Sequence, residues 1–175
     1  MSRPIVVVSG SPAATSRSTL VARRVARELE VHDLSATFFS LADFDAADVF
    51  HGRTQAASVA SFLSAVGQAA ALVFSTPVYK ATYAGGLKAI VDLIAPDAIV
   101  GRPTLGIATV KLEAHAVEVA SAYVNLFRFF RTAAIEPLVV RDAEVTIRGD
   151  ALTFLDGAEE RVVSAARSIA EAVRG

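Results

Sequence analysis

Ile5-Val6-Val7-Val8-Ser9-Gly10-Ser11-Pro12 is the stretch on which the fold turns. Four apolar residues in a row, without alternation, leave no polar face for water. Such a run reads as a strand buried on both faces, the signature of a parallel sheet. Parallel strands need a crossover, and one follows. Ser18 to Glu30 carries Leu20, Val21, Val25 and Leu29 on one helical face, with Arg23, Arg24 and Arg27 opposite as a wetted surface.

The alternation continues outward from there. Ala36–Ser40 predicts a second strand, and acidic Asp43–Gly52 a loop. Thr54–Gln68 predicts a helix with Val59, Phe62, Leu63 and Val66 facing the core. Ala71-Leu72-Val73-Phe74-Ser75 predicts a central strand that stops at Thr76-Pro77. Gly85–Ile94 predicts a helix ended by Pro96, and Thr104–Thr109 a fourth strand. Ala116–Arg131 reads as a helix apolar nearly all round, which should expose no wide side to water. A fifth strand, Ile135–Val140, and a closing amphipathic helix, Ala158–Val173, complete the pattern. This is an α/β protein: a doubly wound, five-stranded parallel sheet in the flavodoxin-like order 2-1-3-4-5, as one domain over residues 1–175. Ligands of such sheets bind beyond the carboxyl ends of the strands, at the switch point between strands 1 and 3.

Composition narrows the function classes. The chain has 175 residues, 53% of them hydrophobic, and a mean hydropathy of +0.47, so disorder is excluded. No apolar run has the length of a membrane span. The surplus of apolar residues points to a subunit interface. A net charge of −1 gives no basic footprint for nucleic acid. There is no cysteine, and His32, His51 and His115 are too widely spaced to suggest a metal set. Met1 leads almost directly into the first strand with no secretory pattern, so a cytoplasmic location is expected.

Ser9 to Thr19 holds hydroxyls at Ser9, Ser11, Thr15, Ser16, Ser18 and Thr19, plus the charge of Arg17. The stretch joins a buried strand to a helix N-terminus, where free N–H groups and the helix dipole favour an anion. It lacks the Gly-Lys-Ser/Thr of an ATP loop and the G-x-G-x-x-G of a dinucleotide fold. A hydroxyl-rich cradle without a catalytic Lys suits a phosphate that is held, such as the terminal monophosphate of FMN. The same residues also read as an ordinary turn with Ser18 as helix N-cap, and both readings stay open here.

Ser75-Thr76-Pro77-Val78-Tyr79-Lys80-Ala81-Thr82-Tyr83-Ala84-Gly85-Gly86 follows the central strand. Pro77 stiffens the backbone, Gly85-Gly86 permits close approach, and Tyr79 and Tyr83 offer flat surfaces. The segment reads as a rigid wall for a flat aromatic ligand with polar edges, or else as a Pro/Gly loop whose tyrosines pack on the surface.

Gly10-Ser11-Pro12…Ser16-Arg17-Ser18, Thr76-Pro77-Val78-Tyr79-Lys80-Ala81…Tyr83…Gly86-Leu87-Lys88…Asp92-Leu93 and Ala108-Thr109…Ala114-His115 occur in this order. In them the chain resembles the NAD(P)H-dependent FMN reductases, closest to the branch that supplies reduced flavin to alkanesulfonate monooxygenases. The resemblance spans roughly Ile5 to Val140. It implies that Ser11, Ser16, Arg17 and Ser18, with Thr19 beside them, hold the FMN phosphate. It implies that Pro77, Val78, Tyr79 and Lys80 line the isoalloxazine, with Tyr83 on the same wall and Gly86 near the flavin edge. Thr109, Val110 and Lys111 would face the flavin from the third loop. It further implies NADPH or NADH as reductant, a flavin-dependent monooxygenase as partner, and a homotetramer or homodimer that buries the Ala116–Arg131 helix.

Two departures stand out. Ala13 replaces an Arg that many members carry after Ser-Pro. Val110-Lys111 replaces the common Gly-Gly, so these side chains are expected to fill space near the flavin. Position 121, where some members insert a Tyr tied to flavin release, is Ser, with Tyr123 nearby.

The chemistry implied is hydride transfer from nicotinamide to flavin, which needs no protein acid or base, so no catalytic side chain is assigned. Lys111 is the candidate cation for charge gathering near N1/O2 of the reduced flavin. His115 reads as a hydrogen-bonding residue at a helix start, Asp92 as a cap or ion-pair partner of the helix, and Asp142, Glu144 and Asp150 as solvated. The alternatives are an FMN-bound reductase of quinones, azo dyes or metal ions, and a non-catalytic flavin electron carrier. A carrier usually has a strongly acidic docking surface, which a charge of −1 does not provide.

Overall fold

The computed structural model describes residues 3–149 and 151–175. Strand β1 (Ile5–Ser9) lies between β2 (Ala36–Ser40) and β3 (Ala71–Tyr79), and all three run parallel. Beyond β3 comes β5 (Pro103–Val110), also parallel. Its outer edge pairs first with β6 (Ala133–Ala134) and then with β7 (Leu138–Arg141). The fifth strand expected over Ile135–Val140 is met by β7 alone; β6 precedes that range, and residues 135–137 separate the two pieces. With β6 and β7 taken together, the sheet has the expected order 2-1-3-4-5.

Successive residues of β1 explain both layers. Val6 and Val8 face a core built with Val59, Phe62, Leu87, Ile90, Tyr123 and Phe127. Ile5 and Val7 face the opposite core with Val21, Val25, Leu29, Val162 and Ile169. Helices α3 (Ala57–Gln68), α4 (Gly85–Val91) and α5 (Ala114–Phe130) therefore cover one face, and α1 (Arg17–Val31) and α6 (Ala158–Arg174) the other. None of the helices among the described residues is long and apolar enough to cross a membrane.

Several boundaries differ from the sequence reading for local reasons. The acidic Asp43–Gly52 segment is not loop throughout. A 3-10 turn (Leu41–Asp43) leads to α2 (Ala46–Phe50), which Asp45 caps by accepting from the N–H groups of Ala47 and Asp48. Helix α1 begins one residue early because Ser16, not Ser18, is its N-cap and accepts from Thr19 N. Strand β3 does not stop at Thr76-Pro77 but runs on to Tyr79, then folds back as β4 (Thr82–Tyr83). Proline is compatible with the extended backbone, and it costs a strand only one donor.

Two larger differences concern the second half. Helix α5 does expose a wide apolar side: Val117 is 73% and Phe129 63% exposed. Glu144 is not solvated; it is buried at the end of a 3-10 turn (Asp142–Glu144). Asp150 lies outside the described residues. A hairpin of β8 (Val145–Arg148) and β9 (Ala151–Phe154), absent from the sequence reading, separates that turn from α6.

Candidate functional site

The parallel register brings four strand ends to one edge. Ser9 pairs with Ser75, Pro77 with Thr109, and Thr109 with Val140. The loops that leave these ends enclose a cavity of about 370 Å³ lined by Thr15, Ser16, Arg17, Pro77, Val78, Tyr79, Thr109, Lys111, Asp142 and Ile147. That volume falls within the range of small-molecule clefts.

The serine-rich loop owes its shape to its own hydroxyls. Thr19 Oγ1 lies 2.7 Å from Ser9 Oγ and 2.8 Å from Ser16 Oγ, and it donates to Ala13 O at 3.2 Å. Ser11 Oγ accepts from Ala13 N, and the buried Ser75 donates to Ser18 O. Ser11, Ser18 and Thr19 are buried, so they build the loop from beneath, whereas Ser16 and Arg17 reach the cavity. Inside the helix the N–H groups of Arg17 and Ser18 have no acceptor, as at any first turn. Gly10 is required for packing: a Cβ there would stand 2.3 Å from Leu87 Cβ.

The wall after β3 is a tight hairpin. Val78 pairs with Tyr83 and Tyr79 with Thr82, leaving Lys80 and Ala81 as the turn, at φ 54° and 65°. Two positive φ values in succession are the mark of a type I′ turn, here without its usual Asn-Gly. Thr76, given no site role in the sequence reading, closes the hairpin base: its hydroxyl accepts from Ala84 N and donates to Pro77 O, both at 2.8 Å.

Besides the buried Ser11, Ser18 and Thr19, four more predicted residues lie outside the lining. Lys80 stands at the hairpin tip. Tyr83 turns toward the core, its ring 6.0 Å from that of Tyr123. Gly86 makes its close approach to Leu41, whose Cδ1 would be 2.5 Å from an added Cβ. Val110 is wholly buried in the core and takes no space beside the cavity, while Lys111, one residue on, does line it.

Sequence reasoning missed Asp142, whose carboxylate is 3.8 Å from the Arg17 guanidinium. It also missed how Asp142 is held. Glu144 accepts from Arg141 N (2.8 Å), Nε (2.9 Å) and Nη2 (2.6 Å) and from Arg161 Nη2 (2.6 Å). Burial alone would raise the Glu144 carboxyl, but these bonds outweigh it and hold its pKa below the ordinary value. No periodicity marks this cluster, because its members come from a turn and the distant α6.

Tyr123 ties α5 to the sheet beneath the site. Its hydroxyl reaches Phe74 O at 2.8 Å and Ile107 O at 3.0 Å, and its ring occupies the space above Gly106. Burial, with a smaller contribution from Tyr83, pushes its pKa well up, so it stays a neutral donor. A larger groove, about 480 Å³, lies between α5, β7 and α6 and includes Val117, Ile135 and Pro137. It lacks a hydroxyl-rich loop leading into a helix, so the smaller cavity is the better ligand site.

The donors fit a flavin monophosphate. The α1 N-terminus, Ser16 and Arg17 suit the phosphate, and Pro77, Val78 and Tyr79 make a flat wall. Residues 4–146 match the family model described as NADPH-dependent FMN reductase. The chain is 36% identical over 115 residues to "FMN reductase (NADPH)" of Pseudomonas putida, covering 66% of this chain and 58% of that protein. It is 31% identical over 115 residues to the Escherichia coli protein of the same name, covering 66% and 60%. The chain thus spans less than two thirds of the length of these two relatives. "NADH-dependent FMN reductase SfnF" of Pseudomonas fluorescens is 31% identical over 140 residues, covering 77% of this chain and 75% of that one. Among solved structures, an apo NADH:FMN oxidoreductase aligns with a TM-score of 0.83 at 21% identity over 97% of this chain and 89% of that one. An archaeal flavodoxin aligns at 0.64 and 12%, over 98% and 99%. At these identities the two structures establish the shared fold.

Proposed function

The chain belongs to the NADPH-dependent FMN reductase family, and from that premise we propose that it is an NAD(P)H:FMN oxidoreductase. Its proposed products are NAD(P)+ and reduced flavin, the latter passed to a flavin-dependent monooxygenase. Bound flavin supplies the hydride-accepting chemistry, and the protein's task is to bind, orient and exclude water. Ser16, Arg17 and the first-turn N–H groups of α1 hold the phosphate, over a loop braced by Ser11, Ser18 and Thr19. Pro77, Val78 and Tyr79 form the ring wall, kept in place by Thr76. Thr109 and Lys111 close the site from the third loop, and Lys111 provides positive charge for the reduced ring.

The observation that carries this reading is the convergence of Ser16, Arg17, Pro77, Val78, Tyr79, Thr109 and Lys111 on one cavity. The relatives are named for NADPH in some cases and for NADH in others, so both reductants belong in the assay. We also propose that α5 is a subunit interface, since Val117, Val124 and Phe129 present apolar surface on one helix. The decisive test follows NADPH and NADH oxidation with and without added FMN, alongside quenching of flavin fluorescence. FMN-dependent oxidation is expected; a protein that neither quenches FMN nor oxidises either nucleotide refutes the proposal. Lys111→Ala should slow flavin reduction, and unchanged flavin affinity and reduction rate would remove Lys111 from the mechanism.

A further inference from the structure

Arg17 serves two acids. Among the described residues that line the cavity it is the cation carried by α1, and Asp142 Oδ2 already stands 3.8 Å from its Nη1. The two partners differ in freedom. Arg17 sits in the first turn of α1 on a long side chain, 44% exposed. Asp142 has a short side chain on a hydrogen-bonded turn. Its neighbour Arg141 donates to the buried Glu144 through both backbone and guanidinium, Arg161 secures the same carboxylate, and Leu155 N donates to Glu144 O at 2.8 Å. The acid sits on a braced turn, and the base on a long, partly exposed side chain.

We infer that Asp142 is a built-in competitor for the phosphate of FMN: its carboxylate occupies Arg17 in the free protein and repels the phosphate in the bound one, so flavin remains a dissociable ligand. The inference rests on the phosphate site proposed above. A phosphate at the α1 N-terminus must share Arg17 with a carboxylate that the turn holds in place. Both losses act on the phosphate alone and leave the ring wall untouched. At a separation of roughly 7 Å and with near-aqueous screening, repulsion between a carboxylate and a phosphate dianion corresponds to about a tenfold change in affinity. Such an effect is screened by salt. Affinity lowered in this way suits a protein that gives up its reduced flavin.

The test compares dissociation constants of FMN and of riboflavin, which has no phosphate, by flavin fluorescence quenching. The proteins are wild type, Asp142→Asn, Asp142→Glu and Arg17→Gln, each checked for an unchanged melting temperature. Asp142→Asn is expected to tighten FMN about tenfold at low salt and leave riboflavin unchanged, with the gain shrinking as salt is raised. Asp142→Glu keeps the charge and should stay within about twofold of wild type. If wild type prefers FMN over riboflavin and Arg17→Gln abolishes that preference, but Asp142→Asn leaves FMN affinity unchanged, this inference alone falls. It falls equally if Asp142→Asn tightens riboflavin as much as FMN. If wild type shows no preference for FMN and Arg17→Gln alters neither ligand, the phosphate site itself is wrong, and the inference falls with it.

Discussion

Replacing Glu144 by Gln puts an amide where a buried carboxylate now accepts from two arginines. The side chain is 4% exposed, while Arg141 and Arg161 are about half exposed, so the arginines can rehydrate but the acid cannot. One amide oxygen can still accept from Arg141 Nε and Nη2. The amide nitrogen then meets Arg141 N and Arg161 Nη2, donor against donor. Removing one partner of a fully buried ion pair costs about 3–5 kcal/mol. Rehydration of the arginines reduces this to roughly 2–3 kcal/mol, closer to the range for bonds to a charged group. For a domain of this size the loss corresponds to a fall of about 5–10 °C in melting temperature.

The pH dependence carries a second signature. The Glu144 pKa is depressed in the folded state, so its stabilisation is present above the ordinary glutamate value and fades as pH falls through the depressed one. Wild type should therefore exceed Glu144→Gln in stability at neutral pH, and the gap should narrow as pH falls below about 4.3. Urea titrations at a series of pH values read both effects. Equal stability at neutral pH, or a gap unchanged into acid, would refute the account of Glu144 as the anchor of this turn.

Other perturbations test the remaining supports. Ala81→Gly relieves a left-handed alanine in the hairpin turn and should raise stability by about 0.5–1 kcal/mol, net of the added chain entropy; a lowered melting temperature would contradict the turn assignment. Gly10→Ala drives a Cβ into Leu87 and α4, so a loss of about 3 kcal/mol is expected, with weaker flavin quenching; unchanged melting would show that the packing is looser than described. Tyr123→Phe keeps the ring over Gly106 but removes the donor to Phe74 O and Ile107 O, and denaturant titration should find a loss of about 1–2 kcal/mol. Val117→Asp combined with Phe129→Asp should reduce the sedimenting mass without unfolding the protomer, and an unchanged mass would remove α5 as an interface.

Much of the architecture was legible because it depends on local chemistry. An unalternating Ile5–Val8 run has nowhere to go but the middle of a sheet, and helical periodicity placed α1, α3, α5 and α6 within a few residues of their observed bounds. The serine-rich and Tyr79 loops were legible too, because a strand order of 2-1-3-4-5 puts them side by side. What composition and spacing could not express was direction. Whether Ser16 or Ser18 caps α1, and whether Tyr83 or Tyr79 faces the cavity, depends on backbone angles set by hydrogen bonds within each loop. The β8–β9 hairpin and the turn ahead of it were equally hidden, for their residues look like any polar surface. Glu144 becomes an anchor only because α6 delivers Arg161 to it from 17 positions away. Asp142 meets Arg17 only because β7 ends beside the start of α1. Residue order alone sets which segments bury and where the hydroxyls and charges lie along the chain. Tertiary structure decided which of those polar groups oppose one another, since Coulomb and hydrogen-bond energies depend on distances that only the folded chain sets.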